Sequence, residues 1–373
     1  MPEIAAIRYN SVMKLATVTL LVAIACLPSM AVGDFEQAEI AANEGRYEDV
    51  MTILSELLES GQLDSDKLKA RAYSNRGIAY SLLEYYQSAR VDLERAVDLD
   101  PGSVLALNHL GILSEQVDAD FGAAAEWYKR GADLYYPASQ VNLANLYLSG
   151  KGVDADRLAA IELYEAAVTQ GYSLALVGLA ELLLNGGNSG EKERAVELLQ
   201  RAVETGSIVA HHHLGFAYEK GLGVHRDYEL AIMHYEKSAE RGYAASLGAL
   251  GYLHRKGFGT SKNFPEAVRL YRLAADRGDA VAANRLGWLL ATCPLQTVCN
   301  GRLALKYARL AVSVEESAST MDTLAAAHAR IGEFDEALQI ILNLLETKPL
   351  SSSAKIKYEK RLHRYSNGIP SQI

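Results

Sequence analysis

Leu214-Gly-Phe-Ala-Tyr-Glu-Lys-Gly-Leu-Gly-Val-His-Arg-Asp-Tyr-Glu-Leu-Ala-Ile-Met-His-Tyr-Glu-Lys-Ser-Ala-Glu-Arg-Gly242 decides the fold. Apolar residues recur at helical spacing on both sides of Gly221-Leu-Gly223, so the stretch reads as two helices joined by a tight turn. Gly242 is a helix stop, because glycine takes the left-handed conformation without a Cβ penalty. The same stop recurs at Gly171, Gly206 and Gly278, with spacings of 35, 36 and 36 residues along the series. Turns of the same kind stand at Gly150-Lys-Gly152-Val and Gly257-Phe-Gly259. Each period is therefore an antiparallel helix pair. A pair of this size cannot bury its apolar face alone, so successive pairs must stack.

Leu143, Tyr147, Gly150, Gly152, Val153, Asp156, Ala160, Tyr164, Ala166, Ala167 and Gly171 resemble the Sel1-like repeat. Leu214-Gly215, Tyr218, Gly221, Gly223, Asp227, Ala231, Tyr235, Ala239 and Gly242 resemble it again, as does the copy at 244–279. The copy at 174–207 departs, with Leu183 in place of the tyrosine and Asn185-Gly-Gly-Asn-Ser-Gly190 in place of the Gly-x-Gly turn. Upstream, Tyr73, Gly77, Tyr80, Ala89, Leu93, Ala96 and Pro101 resemble the related tetratricopeptide repeat, with Arg76 its one departure. Leu324, Gly332, Phe334, Ala337 and Pro349 resemble a further copy. The resemblance implies an all-α, right-handed α-solenoid of roughly nine helix pairs at ~35 residues each. Residues 34–137 are expected as tetratricopeptide-like pairs, with 104–137 a hybrid; 138–279 as Sel1-like repeats; 280–349 as further pairs of both kinds. Residues 350–373 are expected as a capping helix, Ala354 to Tyr365, and a fraying tail.

The 373 residues carry 37 basic and 46 acidic side chains, a formal charge of -9, which argues against a nucleic-acid footprint. Lys14 and the apolar run Leu15 to Leu27, closed by Pro28-Ser-Met-Ala31, read as a secretory signal over 1–31, with Met13 a possible true start. The expected location is the periplasm or outside the cell. Ala23-Ile-Ala-Cys26 is a weak lipobox, and a lipid anchor through Cys26 is the alternative. No other segment is expected to span a membrane. In an oxidising compartment the two remaining cysteines, Cys293 and Cys299, are expected to form a disulfide contributing about 2 kcal/mol.

No catalytic constellation emerges. The Gly-x-Gly turns lack the rest of a nucleotide loop. Ser352-Ser-Ala-Lys355 fits a Ser-x-x-Lys element of penicillin-recognising enzymes, but its companion motifs are missing and a serine-capped helix is the reading. His211, His212 and His213 point about 100° apart on a helix and cannot converge on one ion, so neither metal nor cofactor is expected. Two of the three are expected to line a groove and titrate near neutral pH. Asp118-x-Asp120 and Asp154-x-Asp156 read as solvated turn residues, not calcium ligands.

The function expected is non-catalytic: a scaffold of the bacterial envelope holding a protein, peptide or glycan on its concave groove, with no nucleic acid partner and the chain itself a monomer. The alternative is a cell-wall or β-lactam-interacting hydrolase. Residues 34–103 hold fifteen acidic and seven basic side chains while 351–373 hold five basic and one acidic, which raises head-to-tail contact as a further possibility. Setting Leu214-Gly215, Leu250-Gly251 and Leu286-Gly287 in register puts the next residues, Phe216, Tyr252 and Trp288, at one offset in three repeats. Such a row suits stacking on an extended ligand, or else packs between neighbouring helices. Its expected rim is Glu219, Lys220, Arg255, Lys256, His213 and Arg285. Asn108, Asn142, Asn145, Glu181 and Asn284 are expected to extend the same face. The full tetratricopeptide carboxylate clamp is not present.

Overall fold

The computed structural model describes residues 29–292, 295–347 and 350–371. Residues 1–28 of the expected signal, with Cys26 and Met13, lie outside the described residues, as do Cys293, Pro294 and Pro349; Ser29 to Ala31 open the first helix. The described elements are all helical: α1 Ser29–Asn43, α2 Tyr47–Glu59, α3 Asp66–Leu82, α4 Tyr86–Leu99, α5 Val104–Gln116, α6 Phe121–Asp133, α7 Pro137–Ser149, α8 Arg157–Thr169, α9 Ser173–Gly186 and α10 Ser189–Glu204. There follow α11 Ile208–Lys220, α12 Tyr228–Glu240, α13 Ala244–Lys256, α14 Phe264–Asp276, α15 Ala280–Thr292, a 3-10 turn Gln296–Val298, α16 Gly301–Val314, α17 Ala318–Arg330, α18 Phe334–Thr347 and α19 Ser352–Ser366. They make nine pairs and a terminal helix. Two compact units, Met1–Leu179 and Ala180–Ile373, divide the chain within α9.

The local chemistry repeats with the pairs. Six of the second helices, α6 to α16, start on an Asp or Asn whose side chain accepts from the first-turn amides: Asp120 from Ala123, Asp156 from Leu158 and Ala159, Asn188 from Glu191, Asp227 from Glu229 and Leu230, Asn263 from Glu266, and Asn300 from Leu303. Such caps satisfy donors that the helix leaves open. Asn188 thus caps the second helix of the 174–207 copy although its Gly-x-Gly turn is missing, and Asp120 and Asp156 are caps. Three first helices, α7, α11 and α13, end on left-handed glycines, with the Gly221 amide donating to the Ala217 carbonyl at φ +70°. The second glycine of each turn sits on the preceding pair. A Cβ on Gly152 would lie 2.1 Å from the Phe121 carbonyl oxygen, and one on Gly223 2.1 Å from that of Lys192.

In the first unit α3 packs against α4 and α5, around Ala70, Leu93, Leu107 and Leu110. Arg76, the departure from the tetratricopeptide pattern, donates two bonds to buried Asp92 at 2.7 and 2.9 Å and one to Ser55 at 3.0 Å, tying α2, α3 and α4 together. His109 of α5 is fully buried, and burial alone drives its pKa down to about 4. The folded state therefore resists protonating it, so this contribution is intact above pH ~6.5 and is lost as pH falls from there toward 4. Lowering the pH from 7 to 5 is expected to cost about 2 kcal/mol from this residue. His109→Gln should flatten the pH dependence of the unfolding midpoint over that range, and unchanged slopes would contradict the assignment.

In the second unit Tyr235 and Tyr271 of the second helices press onto Gly215 and Gly251 of the first, where a Cβ would come within 2.7 and 2.8 Å of the rings. The core runs through Leu250, Leu253, Leu270, Leu286 and Leu289 to Tyr307. The terminal helix is capped by Ser351, whose hydroxyl accepts from the Ala354 amide, so Ser352 is simply its first residue. The tail is hydrogen-bonded to the helices as far as Ser371. Arg364 donates to the Pro370 carbonyl at 2.7 Å, Arg330 to that of Ser371 at 3.1 Å, and the Tyr365 hydroxyl meets the buried Ser371 hydroxyl at 2.8 Å. Two guanidiniums satisfying the tail's carbonyls make it part of the fold.

Candidate binding groove of the second unit

Phe216 of α11, Tyr252 of α13 and Trp288 of α15 are all half-buried, resting on the core beneath and reaching the surface above. Cations stand between them. The Lys220 ammonium lies 5.8 Å from the Phe216 ring centroid and 5.7 Å from that of Tyr252. The guanidiniums of Arg255 and Arg285 each lie 5.6 Å from the Tyr252 centroid, and that of Arg361, from α19, 4.5 Å from the Trp288 centroid. Attraction between a cation and the negative face of a ring holds such groups in place. The expected row of aromatics is therefore an alternation of rings and positive charges, and it presents a cationic surface.

Beside Trp288 lies a cavity of ≈ 280 Å³. Four of the expected residues, Arg255, Asn284, Arg285 and Trp288, line it with Ser319, Asp322 and Thr323 of α17 and Lys357 of α19. Asn284 donates to the Ser319 hydroxyl at 3.2 Å, while its own carbonyl oxygen is buried with no hydrogen-bond partner. Asp322 is 3% exposed and held by Lys357 at 2.9 Å and by Arg361. Burial raises its pKa against the pull of those two cations. The sequence reading missed Ser319, Asp322, Thr323, Lys357 and Arg361. Asp322 was accessible to it by register, because it is the fifth residue of its first helix, as Asn284 is of α15.

Other expected rim residues fall elsewhere. Glu219 is not on the rim: it is 7% exposed, accepts from the Tyr235 hydroxyl at 2.9 Å and pairs with Lys220, so it anchors α12 and positions the lysine. Burial, followed by the Glu219 charge, raises the Tyr235 phenol. Lys256 is exposed at the end of α13 and Glu181 is exposed on α9. His213 is half-buried, 5.5 Å edge-on from His212. The expectation of histidines titrating near neutral pH runs against their environment, which lowers all three. Burial drives His212 to about 4 and lowers His213 despite Glu181, and His211 is also lowered by burial. His211 meets His234 at 3.0 Å and His212 meets Ser246 at 2.9 Å, so they diverge as helix geometry requires. Among the described residues no group of three or more His, Cys, Asp or Glu side chains is placed to hold a metal.

Asn108, Asn142 and Asn145 belong to the first unit. Asn108 is buried and accepts from Asn142 at 3.0 Å and Ser139 at 3.2 Å; exposed Asn145 accepts from the Tyr164 hydroxyl at 2.6 Å. They serve packing between α5, α7 and α8. Cys299 is disulfide-bonded. No helix among the described residues is long and apolar enough to cross a membrane.

Stacked helix pairs define an all-α repeat protein. Residues 104–136, 137–172, 173–207, 208–243 and 244–279 each match the Sel1 repeat, so the chain carries five Sel1 repeats. The first match covers the stretch expected as a hybrid. The chain is similar to the crystal structure of a Sel1 repeat protein from Oxalobacter formigenes, at 25% identity over 65% of this chain and 100% of that one, TM-score 0.55. It is similar to c5321, a protective antigen present in uropathogenic Escherichia coli strains, at 19% identity over 90% and 76% of the two chains, TM-score 0.52. Cut9–Hcn1, an APC/C hetero-tetramer, shares the fold at 17% identity over 78% and 54%, TM-score 0.53. No curated protein matches the chain. Sel1 and tetratricopeptide repeats generally bind other proteins, and Sel1-repeat proteins are generally non-catalytic scaffolds.

Proposed function

We propose that the chain is a non-catalytic scaffold of the bacterial cell envelope that holds a segment of a partner protein in the groove of its second unit. The observation that carries this reading is the half-buried row of Phe216, Tyr252 and Trp288 with Lys220, Arg255 and Arg285 set between the rings. Aromatic and arginine side chains that are partly desolvated before binding are the groups that dominate protein interfaces. The envelope location rests on the signal-like segment 1–31 and follows the sequence alone.

Affinity capture from envelope extracts with the tagged full chain, followed by mass spectrometry, identifies the partner. Tyr252→Ala, Phe216→Ala and Trp288→Ala are each expected to weaken its recovery, with a loss of about 2 kcal/mol or more at the dominant residue. If all three variants keep the partner while each melts several degrees lower, the rings are core alone and the groove reading fails.

A further inference from the structure

The cavity beside Trp288 has a charge pattern that selects its occupant. Arg255, Arg285 and Lys357 line it, and Arg361 lies behind them on the Trp288 ring. Its one carboxylate, Asp322, is already engaged by Lys357 and Arg361. Arg255 and Arg285 make no ion pair with any carboxylate among the described residues and lean on the Tyr252 ring instead. Two guanidiniums converging on one cavity, neither paired with a carboxylate of the described residues, are complementary to a carboxylate. Asn284 adds an independent requirement. Its buried carbonyl oxygen has no donor, and a group left so is costly unless a bound molecule brings an N–H. A cavity of ≈ 280 Å³ is small for a cofactor but takes one amino-acid residue and its peptide unit.

We propose that this cavity is a carboxylate pocket for an acidic residue of a peptide segment, Arg255 and Arg285 binding the carboxylate and Asn284 accepting a backbone N–H. This deepens the groove reading and rests on it. Lys357 and Arg361 come from α19, outside the matched repeats, so this chain's terminal helix completes the pocket. Asp322 keeps those two cations in place and leaves the two arginines as the ones that meet the ligand.

The chain's two tryptophans are Trp127 and Trp288, so Trp127→Phe makes Trp288 emission a reporter for the pocket. Two random decapeptide libraries, one amidated and one with free C-termini, are selected against the full chain. Enriched peptides are expected to share an Asp or Glu, or the terminal carboxylate, and to change Trp288 emission on binding. Asn or Gln in place of that residue, or amidation of that terminus, should weaken binding roughly tenfold, as should Arg255→Gln or Arg285→Gln, with melting unchanged. Enrichment in the amidated library assigns a side chain as the source; enrichment confined to free termini assigns the terminal carboxylate. Peptides that change Trp288 emission but carry no required carboxylate, or ignore both arginine variants, overturn the pocket while leaving the groove reading intact. If neither library yields a binder, the groove reading fails and the pocket with it.

Discussion

Gly223→Val is expected to destabilise the second unit by about 3 kcal/mol or more, since it combines backbone strain with overpacking. Gly223 has φ +68°, a conformation that a β-branched residue strongly resists. Its added Cβ would also lie 2.1 Å from the Lys192 carbonyl oxygen, in the first turn of α10, where no flexible side chain can yield. Gly206→Val separates the two effects. Gly206 has φ +83° but nothing within 4 Å of a Cβ, so it should pay the conformational penalty of about 1–2 kcal/mol and little else. Equilibrium denaturation of both variants measures the difference, and equal losses would refute the inter-pair contact.

Tyr235→Ala should cost about 3–5 kcal/mol, because the side chain is 1% exposed and fills the notch at Gly215. Tyr235→Phe keeps that packing but removes the hydrogen bond to Glu219, leaving a buried carboxylate with Lys220 as its remaining partner. About 1–3 kcal/mol is expected for that loss. Denaturant unfolding should rank the variants in this order. A phenylalanine variant as stable as the wild type would show that Glu219 does not depend on the phenol.

The repeat architecture was legible because it is written in local chemistry. Asp or Asn before six of the second helices and left-handed glycine after α7, α11 and α13 act within a single turn, and a period in sequence reports them directly. Residues 104–136 were less clear for a local reason. Tyr135, at φ +59°, occupies the left-handed position where Gly171 stands in the next repeat, and an exposed tyrosine gives no stop signal. The groove was half legible. The common offset of Phe216, Tyr252 and Trp288 followed from register, whereas Lys357 and Arg361 beside Trp288 come from α19, which returns to α17 through Lys357 and through the Tyr358 hydroxyl donating to the Ala318 carbonyl at 3.2 Å. No periodicity encodes that return. Glu219 was misplaced for a related reason: its helical position suits a rim, but the Tyr235 hydroxyl arriving from α12 draws it inside.

Hydroxyl-radical footprinting of the full chain, with and without its captured partner, tests the groove most directly, because aromatic rings react in proportion to their exposure. The account predicts protection on binding at Phe216, Tyr252 and Trp288, with the exposed Tyr85 and Tyr135 of the first unit reacting as before. Protection confined to other residues, with those three rings unchanged, would contradict it.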